Sequence, residues 1–249
     1  MRRPLMVGNW KMFKTIPETE KFVQEFMPLV SASTHCDFAI APPFTALAAA
    51  SRAARGSSVA VAAQDLYWEK QGAFTGEVAA SMLVDAGCTY AIIGHSERRH
   101  LFGEVDEAVF QKTRAALGAG LIPIVCVGET LVEREDGQME AVLGREFEAG
   151  MGGLTGPEFG RIIIAYEPVW AIGTGKTATP EIAAEAHRFI RSLAAGKFGK
   201  SCADDLRILY GGSVKPDNVR GLMAQPELDG TLVGGASLEA KSFAAIVNF

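Results

Sequence analysis

The sequence predicts an α/β fold in which eight parallel strands, each followed by a crossover helix, close into a (β/α)8 barrel. Eight short β-rich runs recur along the chain, helix-period segments lie between them, and polar residues gather where the runs end. At 249 residues, with 48% hydrophobic and 21% charged side chains, the chain can bury one barrel-sized core. No linker or low-complexity tract divides it, so residues 1–249 read as a single domain.

The first run, 5–7, leads to Asn9 and Lys11. In the helix that follows, Phe22, Val23, Phe26, Leu29 and Val30 share one face, and Pro17 suits the first turn, where an N–H has no helical partner anyway. Runs 38–41 and 59–63 end at Ala41 and Gln64, and the helix after the third run, near 81–86, is short. Run 90–93 delivers His95, Ser96 and Glu97; run 122–127 passes through Cys126. Run 161–166 is the most informative. Ile162, Ile163, Ile164 and Ala165 read as a strand buried on both faces, and Pro168 forbids its continuation. Glu167 therefore stands at the carboxyl end of a strand, where parallel α/β folds place their chemistry. The next helix puts Ile182, Ala186, Phe189, Ile190 and Leu193 on one face, with Thr179 as cap and Pro180 in the first turn. Runs 206–210 and 231–233 end at Tyr210 and Val233, and each is followed by paired glycines. The run ends are 23 to 43 residues apart, so each interval is expected to hold one strand and one crossover helix. Eight such units favour a closed barrel over an open doubly wound sheet.

Composition excludes several function classes. The formal charge of -5 comes without a basic run or an RNA-type aromatic motif, which argues against a nucleic-acid partner. Cys36, Cys88, Cys126 and Cys202 show no CxxC spacing, so reduced thiols in a cytoplasmic protein are expected, with no metal site. The apolar run after Met1, Arg2 and Arg3 is too short for a signal peptide. No stretch approaches membrane-spanning length, so no membrane partner is expected either.

A barrel would bring the polar run ends around one mouth: Asn9 and Lys11, then His95, Ser96 and Glu97, then Glu167, Ser213, Gly234 and Gly235. Taken alone, each has an ordinary reading. Lys11 would be a surface lysine, His95 a hydrogen-bonded structural histidine, Glu97 a first-turn helix carboxylate and the glycines turn residues. Taken together, they suit a phosphorylated carbonyl substrate. Glycine-rich ends after the seventh and eighth strands expose backbone N–H groups to a phosphate. Glu167 offers a carboxylate base, while Lys11 and His95 offer donors to a developing oxyanion.

Seven ordered blocks then carry a resemblance: GNWKM at 8–12, GAFTGE at 72–77, GHSERR at 94–99, CVGET at 126–130, AYEPVWAIGTGKTAT at 165–179, YGGSV at 210–214 and VGGASL at 233–238. Over essentially its whole length the chain resembles the triosephosphate isomerase family. The family is itself the standard case of a glutamate base paired with a neutral histidine electrophile, so that pairing is inherited with the resemblance. The resemblance implies that Glu167 shuttles a proton between C1 and C2 of dihydroxyacetone phosphate and glyceraldehyde 3-phosphate through an enediol or enediolate, without a cofactor. His95 matches the neutral imidazole, Lys11 the substrate-binding cation with Asn9 beside it, and Glu97 an additional catalytic carboxylate. Phosphate is expected on the backbone N–H groups of Gly173, Ser213, Gly234 and Gly235.

A mobile lid is implied as well. Pro168, Val169 and Trp170 would form its first hinge, Ala171, Ile172, Gly173, Thr174 and Gly175 its tip, and Lys176, Thr177 and Ala178 its second hinge. Ser96 would hold Glu167 while the lid is open, and Tyr210 would latch it closed. The family is normally homodimeric, which makes Thr75 the tip of a loop reaching into the partner. Phe13 and Asp65 depart from residues common in relatives, near the expected interface, and bear on assembly rather than chemistry. Cys126 matches a family cysteine for which packing is as good a reason as catalysis. The rival readings are a Schiff-base aldolase, which needs a lysine inside the mouth, and a catalytically silent phosphosugar-binding barrel.

Overall fold

A computed structural model describes residues 2–172 and 177–249. Eight parallel strands close in sequence order: β1 (Leu5–Asn9), β2 (Asp37–Ala41), β3 (Val59–Ala63), β4 (Tyr90–Ile93), β5 (Ile122–Val127), β6 (Ile163–Tyr166), β7 (Arg207–Tyr210) and β8 (Gly230–Val233). Pairing of Leu5 with Gly230 and of Gly8 with Val233 seals the barrel. Gly230 is the hinge of that seal. Its φ is +138°, and a Cβ there would lie 1.9 Å from the Leu5 carbonyl oxygen, so only glycine lets the two strands meet.

Alternation along each strand divides the core in two. Leu5, Val7, Ile92, Ile124, Leu209 and Leu232 point inward and pack with small residues such as Ala39, Ala62 and Ala165 inside the barrel. Met6, Ile40, Ile93, Val125, Ile164 and Ile208 point outward against the helices. Both faces are apolar, which is why the strands read as continuous hydrophobic runs.

Strand boundaries differ slightly from the sequence expectation, for identifiable reasons. β1 runs on to Asn9 because its ladder with β2 continues through Asn9 and Ala41. β6 begins at Ile163 because the N–H groups of Arg161 and Ile162 close a turn onto Glu158 and Phe159. Leu206 belongs to the end of the preceding helix, where its N–H donates to the Cys202 carbonyl.

The helices are α1 (Ile16–Val30), α2 (Leu47–Ala53), α3 (Ala80–Asp85), α4 (Ser96–Phe102), α5 (Asp106–Ala119), α6 (Leu131–Glu135), α7 (Met139–Met151), α8 (Gly156–Phe159), α9 (Pro180–Phe198), α10 (Lys200–Asp205), α11 (Val219–Met223) and α12 (Ala240–Val247). The expectation of one helix per interval is corrected here. α4 stops at Gly103, whose φ of 68° is left-handed, before α5 begins. Capping boxes at Thr130 and Thr155 start the additional helices α6 and α8. Gly199 separates α9 from α10. The apolar face of α1 is corrected at one position: Leu29 is 42% exposed, whereas Phe22, Val23, Phe26 and Val30 are buried. Leu29 sits at the edge of the stripe in the last turn. α3 is as short as the sequence suggests, and the Thr179 hydroxyl caps α9 through the Ile182 N–H. Among the described residues no helix is long and apolar enough to cross a membrane.

Candidate active site

Lys11 leaves β1 in a left-handed conformation, with φ of 53°, which costs a non-glycine residue roughly 1–3 kcal/mol. Three polar contacts hold it there. Its N–H donates to Asn9 Oδ1 at 3.1 Å, and Gln64 Nε2 donates to the carbonyls of Lys11 and Ala41 at 2.8 and 2.7 Å. Beneath the turn, Trp10 is fully buried and donates from Nε1 to the Ser237 carbonyl at 3.1 Å. The Lys11 ammonium therefore emerges at a defined point, where Glu97 Oε1 meets Nζ at 2.5 Å.

His95 caps α4 from the end of β4. Its Nδ1 accepts the Glu97 N–H at 3.2 Å, while Nε2 lies 2.9 Å from Glu167 Oε1. Burial lowers the imidazole pKa, but the Glu167 carboxylate outweighs it and draws the value up. The N–H aimed at Nδ1 works the other way, since a second ring proton would face a donor. In the neutral ring that contact selects the tautomer with its proton on Nε2, facing Glu167.

Glu167 follows β6 and is 1% exposed. Its Oε2 also accepts the Ser96 N–H at 2.9 Å, and the Cys126 thiol faces the same carboxylate. Burial alone would raise its pKa. His95, the Ser96 N–H and the Cys126 thiol outweigh burial and lower it, so the carboxylate is ionised. Cys126 shows the converse: burial, then the Glu167 charge, pushes its thiol far up, which makes it a packing partner and not a nucleophile.

A cavity of about 280 Å³ opens at this mouth. Asn9, Lys11, His95, Ser213, Gly234 and Gly235 line it, with the Lys11 side chain beside Gly234, where a Cβ would lie 3.5 Å from Lys11 Cε. Ala171 and Ile172 line it as well. Glu167 turns its carboxylate onto His95 and Ser96 instead of into the cavity. Gly211 leaves space beside it, since a Cβ there would lie 2.8 Å from Glu167 Cγ. Among the described residues no group of three or more His, Cys, Asp or Glu could hold a metal ion.

The segment 168–171, expected to begin a lid, is anchored by a residue to which sequence reasoning gave no role, although it lies within the CVGET block. Glu129 is fully buried, and its carbonyl accepts the Val169 N–H at 3.1 Å. Its Oε1 accepts from Trp170 Nε1 and from Tyr166 Oη, each at 2.9 Å. Pro168 precedes one 3₁₀ turn at Val169–Ala171. Thr177 is exposed and Ala178 buried, whereas Gly173, Thr174, Gly175 and Lys176 lie outside the described residues. Tyr210 is fully buried, and its hydroxyl lies against Gly212, where a Cβ would come within 2.2 Å. Among the described residues that hydroxyl has no hydrogen-bond partner, although it faces the Ala178 backbone. Burial pushes its pKa up to about 12.

Gln64 and Gly128 were also missed as site residues. Gln64 could have been suspected as the polar end of the third run. Gly128 carried only a turn signal, yet a Cβ on it would lie 1.7 Å from the Glu167 carbonyl oxygen. Away from the mouth, Thr75 is exposed at the tip of a loop closed at its base by pairing of Tyr67 with Ala79. Phe13 is 56% exposed. Asp65, by contrast, is buried within the chain, paired with Lys112 at 2.7 Å and Arg98 at 2.8 Å.

Known proteins of one family match the chain over its whole length. The sequence model of the triosephosphate isomerase family matches residues 4–249. The chain is 61% identical to triosephosphate isomerase of Solibacter usitatus over the whole of both chains. It is 58% identical to that of Pelobacter propionicus, over 100% of this chain and 99% of the relative. Among solved structures, triosephosphate isomerase from Bartonella henselae superposes with a TM-score of 0.89 at 38% identity, covering 99% of this chain and 98% of the other.

Proposed function

The chain belongs to the triosephosphate isomerase family and interconverts dihydroxyacetone phosphate and D-glyceraldehyde 3-phosphate, and we propose that Glu167 moves the proton while His95 and Lys11 hold the substrate oxygens. The observation that carries these roles is the convergence of β1, β4 and β6 on one mouth, where His95 Nε2 lies 2.9 Å from Glu167 and Lys11 lines the same cavity.

In the resting arrangement the base is parked. Leaving the Ser96 N–H costs about 1.5–3 kcal/mol, as for other hydrogen bonds to charged groups. Phosphate binding supplies the compensation, through backbone N–H groups of Ser213, Gly234 and Gly235 and through Gly173 on the lid. As the segment that begins at Pro168 closes, Glu167 swings past Gly211 and takes a proton from C1. The negative charge that develops on O2 meets Lys11 and the Nε2–H of His95; the hydroxyl proton then passes from O1 to O2, and the proton held by Glu167 returns at C2, leaving the aldehyde at C1. Closure excludes water from the enediolate, which in solution eliminates phosphate. Tyr210 serves as the latch through the Ala178 backbone, and Glu97 acts through its ion pair with Lys11.

No step needs a cofactor. A Schiff-base aldolase has little support: Lys11 leaves a strand end already paired with Glu97, and the buried Lys112 is held by Asp65 and Glu104. Residues 1–249 act as one domain in this reading. The enzyme serves glycolysis and gluconeogenesis in the cytoplasm as a homodimer, with Thr75 inserted near Asn9 and His95 of the partner. Steady-state isomerisation coupled to reduction of dihydroxyacetone phosphate tests the base. Glu167→Gln should lower kcat by several orders of magnitude with inorganic phosphate still bound, and undiminished turnover in that variant would sink the assignment.

A further inference from the structure

The ladder between β4 and β5 ends at the pair Ile93 and Val125. Beyond it lie Gly94, immediately before His95, and Cys126, whose thiol faces Glu167. An arginine takes over where the ladder stops. Arg99 on α4 donates from Nε to the Gly94 carbonyl at 2.8 Å and from Nη2 to the Cys126 carbonyl at 3.1 Å. Its Nη1 is anchored on Asp106 Oδ1 at 2.5 Å, and its side chain is only 12% exposed. We propose that Arg99 is a positioning residue for the isomerisation, its guanidinium bridging the two strand ends and so setting the spacing between His95 and Glu167. The inference rests on the assignment of those two side chains as donor and base.

Three further features fit a built bridge. Gly94 has φ of +71°, and a Cβ there would stand 3.1 Å from Arg99 Nη2 and 2.8 Å from Val109, so glycine makes room for the fork. Glu146 Oε1 lies 4.0 Å from Arg99, while its Oε2 accepts the Gly128 N–H at 2.9 Å. Gly128 in turn lies directly against the Glu167 backbone. The guanidinium thus reaches the base by a direct arm through Cys126 and a second arm through Glu146. Only a planar fork with several fixed donors can hold two carbonyls and a carboxylate at once; a lysine ammonium is a point charge on a flexible stem.

The test is Arg99→Lys, which keeps the charge and removes the fork. Reacting groups displaced by about 1 Å lose roughly 100-fold in rate, and smaller displacements correspondingly less. Arg99→Lys should therefore lower kcat by about 10–100-fold while the inhibition constant of inorganic phosphate, held by Ser213, Gly234 and Gly235 and not by the bridged strand ends, stays within about twofold. A folded variant with kcat within about threefold of the parent would overturn the proposal, as would parallel losses in kcat and phosphate binding. Should Arg99→Lys fail to fold, Asp106→Asn decides. It releases one anchor of the fork and should cost about 3–10-fold in kcat with phosphate binding kept, and unchanged kcat overturns the proposal. Glu167→Gln runs beside both. If that control stays active, the base assignment itself is at fault; if it is dead while Arg99→Lys is not, only the bridge fails.

Discussion

Gln64→Leu probes how the barrel holds Lys11 in a conformation that the residue itself disfavours. The amide donates two hydrogen bonds, at 2.8 Å to the Lys11 carbonyl and at 2.7 Å to the Ala41 carbonyl. Each is worth about 1 kcal/mol net, so the pair supplies about 2 kcal/mol. That is the same size as the cost of about 1–3 kcal/mol for a lysine at positive φ. The Asn9 contact to the Lys11 N–H remains in the variant, but one bond does not balance the strain. The turn should relax toward negative φ and carry the ammonium away from the cavity. If the lost holding energy appears as a lower population of the productive conformer, 2 kcal/mol corresponds to about 30-fold. Initial-rate kinetics in the coupled assay should show kcat/KM lowered by about 10–30-fold, with global stability in urea changed by less than about 1 kcal/mol because the relaxed turn recovers the strain. The opposite result refutes the reasoning: kcat/KM within about threefold, with stability reduced by the full 2 kcal/mol, would make Gln64 a brace of the fold and not of Lys11.

Two further outcomes follow from residues outside the mouth. His187 is fully buried, its Nδ1 on the Glu227 carbonyl at 3.2 Å, and burial holds its pKa down to about 3. The unfolded chain therefore binds a proton below about pH 6.5 that the folded chain refuses until about pH 3, and stability falls as pH drops through that window, by up to about 1.4 kcal/mol per unit. His187→Gln should flatten the decline in urea midpoint between pH 6.5 and 4, and an unaltered slope would show that other groups set the acid limb. For the proposed homodimer, Thr75→Arg places a charge at the exposed loop tip and should shift sedimentation toward monomer with activity falling on dilution, whereas sedimentation unchanged from the parent would exclude this loop from an interface.

Much of the candidate site was legible because its residues lie at strand ends. Asn9, Lys11, His95 and Glu167 follow runs that are apolar on both faces, so the point where polarity returns marks the barrel mouth. The helices were less legible. Gly103, Thr130, Thr155 and Gly199 insert additional starts and stops, and each is a local signal that resembles an ordinary turn until the strands on either side are paired. Leu29 was misread because periodicity identifies a face without showing how far the neighbouring element extends over it.

From local chemistry alone, the chain determined its strands, their order and the identity of the groups that reach the mouth. Only the tertiary structure decided what those groups do to one another. That Glu167 rests ionised against His95 and Ser96, that Gln64 holds Lys11 at positive φ, that Glu129 ties down Trp170 and that Arg99 joins Gly94 to Cys126 all depend on partners far along the chain, or on carbonyl directions set by strand tilt. Those relations exist only once the barrel has closed, because closure, and not sequence proximity, brings their donors within hydrogen-bonding distance of their acceptors.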